Sequence, residues 1–265
     1  MSALPAGIWI GAWAHALFLF GHEAAHGNLA PGRRRNDRLG DWFVWIFFGS
    51  NTAEYRRTHM THHAHLGDHK DTESTYHLCL SVLTIMKSLT GIRVLEVLIR
   101  QRHQKRGRRA PAASSRRATP SRQAALTSLR SVAVHLAIVA VLLAGGRHAA
   151  VLAWAFGLLC VFPLCATVRT IVEHRHLDAA CSRDFSVEVH GPVNRMFGSD
   201  LPSRIFGAAG FNQHLLHHWD PAISYTRFRD MARYMERTPL AEVMAASRTT
   251  YAAAVVRLLK EAHRG

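Results

Sequence analysis

The sequence predicts an all-α protein set in a membrane, an integral helical domain of about three to four membrane helices under a helical cap on the cytoplasmic side. Three observations predict it. Apolar residues make up 48% of the 265-residue chain and are gathered into runs instead of being spread along it. The runs at 4–20, 132–144 and 149–168 approach the roughly 20 residues that a helix needs to cross a bilayer. The densest basic stretch, 101–122, precedes two of these runs, where a membrane protein keeps its cytoplasmic loops.

Taken in order, residues Leu4–Phe20 are apolar apart from His15 and read as a first span, with His15 a hydrogen-bonded core residue. The run Trp42–Phe48 is too short to cross and reads as an interfacial or re-entrant piece anchored by tryptophan. Residues Leu78–Ile99 mix apolar side chains with Lys87, Arg93 and Glu96, a pattern that fits an amphipathic helix lying on the membrane surface and, for the segment alone, a soluble core helix equally well. The stretch 101–122, rich in Arg, Ala, Ser and Pro, reads as a loop. The runs 132–144 and 149–168 are separated by Gly145-Gly146-Arg147-His148, which predicts a transmembrane hairpin. Both open ends of that hairpin lie on one face, and the basic loop before it and Arg169 after it place that face in the cytoplasm. Residues 169–265 form a polar cytoplasmic C-terminal part that ends in an amphipathic helix near 244–262. The whole of 1–265 reads as a single membrane-embedded domain.

A formal charge of +15 suits either nucleic acid or an anionic membrane surface. Its concentration beside apolar runs, with no zinc-finger, RNA-recognition or basic-zipper pattern, selects the membrane and excludes nucleic acid. The four cysteines show no C-x-x-C pair and no disulfide framework, so a reducing compartment with unpaired thiols is expected. The first apolar run leads straight into a polar motif and carries no signal-cleavage site.

Histidine carries the chemistry. The chain has 19, and three clusters stand out: His22-Glu-Ala-Ala-His26, His59-Met-Thr-His62-His63 and His214-Leu-Leu-His217-His218. Spacings of three and four residues put imidazoles on one helix face. All three clusters flank apolar segments on the predicted cytoplasmic side, and His174, just past the last run, lies at the same expected depth. Eight imidazoles exceed the needs of one zinc ion and suit two metals with open positions, so the cap is expected to carry a di-metal site. A rival reading takes His22-Glu23-Ala-Ala-His26 as the H-E-x-x-H signature of a zinc peptidase with Glu23 as general base, but it leaves both H-x-x-H-H clusters idle. A metal transporter would place ionisable residues inside the spans rather than at their ends.

In this order, HEAAH, HMTHH and HLLHH resemble the histidine boxes of the membrane fatty acid desaturase superfamily. Gly27-Asn28, Asn36-Asp37 and Leu39-Gly40 after the first box, and Asp68–Glu73 after the second, extend the resemblance. So do Glu173-His174-Arg175 and Asn212-Gln213 before the third, and the likeness covers residues 11–221. Members usually carry a further membrane helix before the first box, where one apolar run stands here.

The resemblance implies two iron ions held by His22, His26, His59, His62, His63, His214, His217 and His218, with His174 a ninth ligand. It implies that Asn212 holds a metal-bound water or orients a ligand, and that Glu23, Asp37 and Glu173 accept hydrogen bonds from ligand imidazoles. The implied reaction uses O2 as co-substrate to put a double bond into the acyl chain of a fatty acid or lipid, lodged in a buried apolar tunnel. The alternative within the superfamily is hydroxylation, including carotenoid-type oxygenation. The chain has no flavin, nicotinamide, iron–sulfur or haem pattern, so electrons are expected from an external ferredoxin, rubredoxin or cytochrome. The basic loop is a candidate dock for such a protein.

Overall fold

The computed structural model describes residues 2–97, 99 and 122–263. The first helix, α1 (Ala3–His26), stops at Gly27, whose left-handed backbone (φ +91°) bends the chain back. There follow α2 (Arg33–Phe43), a tight turn at Trp45–Phe47, α3 (Thr52–His65) and α4 (Val82–Leu89). The hairpin consists of α5 (Arg122–Ala144) and α6 (His148–His174), the latter with a π turn at Gly157–Val161. The cap is built from β1 (Met196–Phe197), α7 (Leu201–Phe206), α8 (His214–Trp219), α9 (Phe228–Met235), α10 (Leu240–Ser247), β2 (Arg248–Thr249) and α11 (Tyr251–Ala262). The two strands pair in parallel over two residues each, the small exception to the all-helical expectation.

Among the described residues three helices, α1, α5 from Ala125 and α6, are long and apolar enough to cross a membrane. They meet the protein unequally: 28% of the apolar stretch of α1 and of α6 is buried, against 6% for α5. The crossing of α1 and α6 is made close by glycine. A Cβ on Gly11 would stand 2.4 Å from the Val161 Cβ and 2.7 Å from the Gly157 carbonyl oxygen. In lipid, where apolar burial does not drive helices together, such close backbone approach is what holds them. The π turn lies at this crossing, as π turns often do near functional sites. Gly11→Leu is therefore expected to cost on the order of 1–3 kcal/mol or more by overpacking. Even Gly11→Ala should melt in detergent well below the parent, since its Cβ would meet Val161 and the Gly157 carbonyl, and parent-like melting of both variants would show that the two helices do not cross closely at Gly11.

The Gly145-Gly146 turn closes as predicted, with Arg147 N donating to Leu142 O at 2.8 Å and Gly146 in the left-handed region. However, α5 begins at Arg122, ahead of the apolar run at 132, because Leu126 and Leu129 extend its helical pattern into the basic segment. The remainder of the basic loop, 101–121, lies outside the described residues. The expected surface helix at 78–99 is broken at Thr90-Gly91 (Gly91 φ +76°) into α4 and a second helical stretch at 92–97. Its exposed Val82, Leu83, Met86, Ile92 and Leu95 supply the apolar face that an interfacial segment needs. Trp42 and Phe43 are exposed as well, whereas Trp45 is buried against the α1 end, where it meets Phe18 edge-on.

The cap packs directly onto the end of α6. Val168, Ile171 and Val172 form one core with Leu80, with Phe197, and with Tyr251, Ala254 and Leu258 of α11; the single helix expected near 244–262 is interrupted at Arg248-Thr249, which pair as β2 and leave Met244 on α10. A second core joins Leu215 and Leu216 of α8 to Phe228, Met231 and Met244. The cysteine expectation is corrected: Cys79 and Cys181 form a disulfide that ties the segment before α4 to the loop after α6, while Cys160 and Cys165 stay free. A separation of 102 residues hides this pairing from any local spacing rule.

Candidate metal centre

Four helix ends converge where the membrane helices meet the cap. α1 brings His22 and His26, one turn apart; α3 brings His59, His62 and His63; α6 ends on His174; α8 brings His214, His217 and His218. The nine histidines form two sets. His22, His26, His59, His63 and His217 each bring a ring nitrogen within 4.8 Å of the others, and His62, His174 and His218 do likewise. His214 joins the second set, its Nε2 lying 3.0 Å from that of His174 and 3.2 Å from that of His218.

The hydrogen bonds around the rings test whether these residues fit a metal. His59 Nδ1 lies 2.8 Å from Glu73 Oε1, His62 Nδ1 lies 2.9 Å from both Asp71 oxygens, and His174 Nδ1 lies 2.9 Å from Val193 O. These oxygens can only accept, so each Nδ1 carries the hydrogen and each ring directs its Nε2 inward, the nitrogen left to ligate when the ring is neutral. Inside the cage the Nε2 atoms face one another at 2.8 Å (His22–His217), 2.9 Å (His26–His59 and His59–His63) and 3.1 Å (His63–His217). His59, whose Nδ1 hydrogen is engaged by Glu73, can only accept at Nε2, and five ring nitrogens gathered this closely make a donor set for a cation at their centre. Ligands at right angles on a metal with bonds of about 2.1 Å are themselves about 3.0 Å apart. The donor set therefore fits bound metal, and the carboxylates behind it fix ring orientation as outer partners of ligating histidines do.

Electrostatics agree. Burial, reinforced by neighbouring imidazoles, holds His59, His214, His217 and His218 well below the ordinary histidine range, and the same causes bring His63 down to about 3. All five are neutral and free to ligate at physiological pH. Burial also opposes protonation of His62, but Glu73 and Asp71 outweigh it and raise that ring. Asp71 is itself fixed by the Tyr76 hydroxyl at 2.6 Å and the Glu73 amide at 2.8 Å.

Three of the four residues expected to support the ligands have other partners, and the fourth, Glu173, divides between Tyr251 and His214. Asp37 meets no imidazole: it pairs with Arg56, 3.0 Å from Nη1, and this is a correction. Arg56 in turn donates to the Ala25 and Ala24 carbonyls, and Asn36 Nδ2 donates to Ala24 O at 2.8 Å. Asn36, Asp37 and Arg56 thus satisfy the open carbonyls at the end of α1 and hold the turn that presents His22 and His26. Gly40 lets α2 approach, since a Cβ there would stand 2.4 Å from Thr52 Oγ1. Glu23 is buried and accepts from Tyr225 N at 3.4 Å, which fastens α1 to the cap rather than to an imidazole. Asn212 donates to Gly198 O at 3.3 Å. Glu173 accepts from the Tyr251 hydroxyl at 3.1 Å, and its second oxygen faces His214 Nε2 at 3.6 Å, on the metal side of that ring.

Sequence reasoning gives Asp71 and Glu73 no individual role and takes Arg169 only as a positive-inside marker, whereas all three stand at the cage. The first two lie in the acidic stretch after the second box, and only the turn following α3 shows that they reach back to His62 and His59. Arg169, one turn before Glu173, is buried and stands 3.0 Å from that carboxylate. Of the remaining histidines, His15 bonds the Phe206 carbonyl at 3.0 Å and His135 the Phe47 carbonyl at 3.0 Å, both outside the cage.

Over 58 residues the chain is 38% identical to a beta-carotene ketolase of Paracoccus sp. (strain PC1), which is 22% of this chain and 24% of that protein. It is 36% identical, over the same length and shares, to a beta-carotene ketolase of Paracoccus sp. (strain N81106 / MBIC 01143). The chain thus spans about a quarter of the length of these curated relatives. No solved structure matches. The family model described as fatty acid desaturase matches residues 1–249, nearly the entire chain, and the protein belongs to that family.

Proposed function

We propose that the protein is an O2-dependent di-iron oxidase that introduces a double bond into the acyl chain of a fatty acid or lipid. The observation that carries this reading is the inward convergence of nine imidazoles in two sets. Two irons held by these sets would supply reductive activation of O2 and abstraction of hydrogen from an unactivated C–H bond. The chain's own residues hold and enclose that chemistry. Glu73 and Asp71 keep His59 and His62 in the ligating tautomer, and Val193 O does the same for His174. The Phe211 ring lies 4.5 Å from that of His22, and Tyr55 stacks on His59 at 5.4 Å, walls that exclude water from the cage. Electrons come from a separate carrier of the ferredoxin, rubredoxin or cytochrome type, and the cage faces the cytoplasm, the side favoured by the basic segment before α5.

A second reading, oxygenation of a carotenoid-type chain, is favoured by the similarity to the two ketolases. Both reactions need the same oxidant and differ in the product. The zinc-peptidase reading is the weaker one, because His22 and His26 share one set with His59, His63 and His217, more imidazoles than a single zinc uses.

The test is metal content followed by product analysis. Protein purified in detergent from iron-replete cells is expected to hold about two irons per chain. Cells making acyl lipids and carotenoids should then show new double bonds in the acyl fraction by mass spectrometry. New ketones or hydroxyls confined to the carotenoid fraction would select the second reading. A single zinc, with no iron after anaerobic ferrous reconstitution, would overturn both.

A further inference from the structure

The cage end of the membrane bundle carries a second polar feature that the oxidation chemistry does not use. Between the loop after α2 and the first turns of α5 lies a cleft of about 480 Å3, lined among others by Asp41, Trp42, Ile46, Leu126, Thr127 and Arg130. Arg130 is exposed and lies five residues inside the span that begins at Ala125, about 8 Å along the helix at 1.5 Å per residue. A guanidinium at that depth is costly unless it meets an anion or reaches up to the interface. Its partner here is a ring face rather than a carboxylate, the guanidinium lying 5.5 Å over Trp42. Trp42 is itself 59% exposed, placed as an interfacial anchor is. Asp41 spends one oxygen on Thr52, accepting from its amide at 2.7 Å and its hydroxyl at 2.8 Å.

A cation and an anion thus border one cleft at the boundary between headgroups and hydrocarbon, with Leu126 and Ile46 beside them. We propose that this cleft binds the headgroup of a membrane phospholipid, Arg130 taking the phosphodiester and Asp41 the ammonium of an ethanolamine group. The aliphatic side chains lie along the start of the lipid tails. The site stands apart from the nine histidines and does not depend on the reaction they carry out.

The test uses the full chain, delipidated in detergent and titrated with phosphatidylethanolamine while bound lipid is counted by native mass spectrometry. Arg130→Gln is expected to weaken binding at least about tenfold, the loss of one charge-assisted contact. Iron content and melting temperature should stay at the parent values, which shows that the fold is intact. Arg130→Lys, which keeps the charge and loses the flat stack on Trp42, should fall between the two. Soluble glycerophosphoethanolamine should compete with the lipid, and inorganic phosphate at the same concentration should compete far less. Parent-like binding by Arg130→Gln would overturn the proposal, and equal competition by inorganic phosphate would overturn the headgroup assignment.

Discussion

The His217→Ala variant is expected to lose at least about half of its iron and to form product on the order of 100-fold more slowly than the parent, if at all. His217 is fully buried, and its Nε2 bridges the set, 2.8 Å from that of His22 and 3.1 Å from that of His63. Deleting the ring takes away a donor that no neighbour can replace, since every other member already turns its lone pair to the same point. It also leaves a gap beside Phe211 and Phe228, whose rings lie 5.2 and 6.3 Å from that of His217. Some loss of stability is therefore expected as well, and iron content must be read on folded protein. The matched control is His176→Ala: that ring is exposed and bonds only the His190 carbonyl, so iron and activity should remain. Iron near the parent value in folded His217→Ala would break the two-set arrangement, and iron loss in His176→Ala would show that the measurement reports general damage.

What could be read from the sequence and what could not divide along a physical line. Helix periodicity is local, so imidazoles at spacings of three and four announce their shared face without the fold. Runs near 20 residues announce spans, and a glycine pair between them announces a hairpin. Features set by contact between distant segments stay silent. Asp37 stands beside a histidine box in sequence yet serves Arg56, because the end of α1 needs its carbonyls capped and Arg56 on α3 is the group that reaches them. Asp71 looks like one acid among several in the stretch 68–73, and only the fold around Tyr76 selects it for His62. The Cys79–Cys181 bond closes across 102 residues and has no local sign. The start of α5 is silent for another reason: the uninterrupted apolar run begins at 132, whereas the span itself begins at Ala125 and tolerates Arg130 near its end.

Arg169→Met is expected to destabilise the protein by about 3–5 kcal/mol, the cost of stranding one member of a buried ion pair. Arg169 is 4% exposed and Glu173 1%, and they lie one helical turn apart with 3.0 Å between Nη1 and Oε2. Neither of those two atoms has a hydrogen bond of good geometry, so charge rather than bond direction holds them together. The guanidinium also stands 5.5 Å over the Phe211 ring, which is why a flat cation suits the site better than an ammonium. Glu173→Gln alone strands the opposite charge and should cost stability too. In the double variant both charges are gone, Tyr251 still has an acceptor at position 173, and the methionine fills part of the volume. Its loss should therefore be clearly smaller than the sum of the two single losses, a coupling of 1 kcal/mol or more. Denaturant melts of the four proteins in one detergent measure that coupling. Iron content separates the pair's role from direct ligation, since Glu173 also faces His214 Nε2 at 3.6 Å. If Glu173→Gln loses iron while its stability holds, the carboxylate belongs to the metal. If the single losses simply add, the end of α6 is held by its apolar packing against α11, and the buried charges stand beside the cage without bracing it.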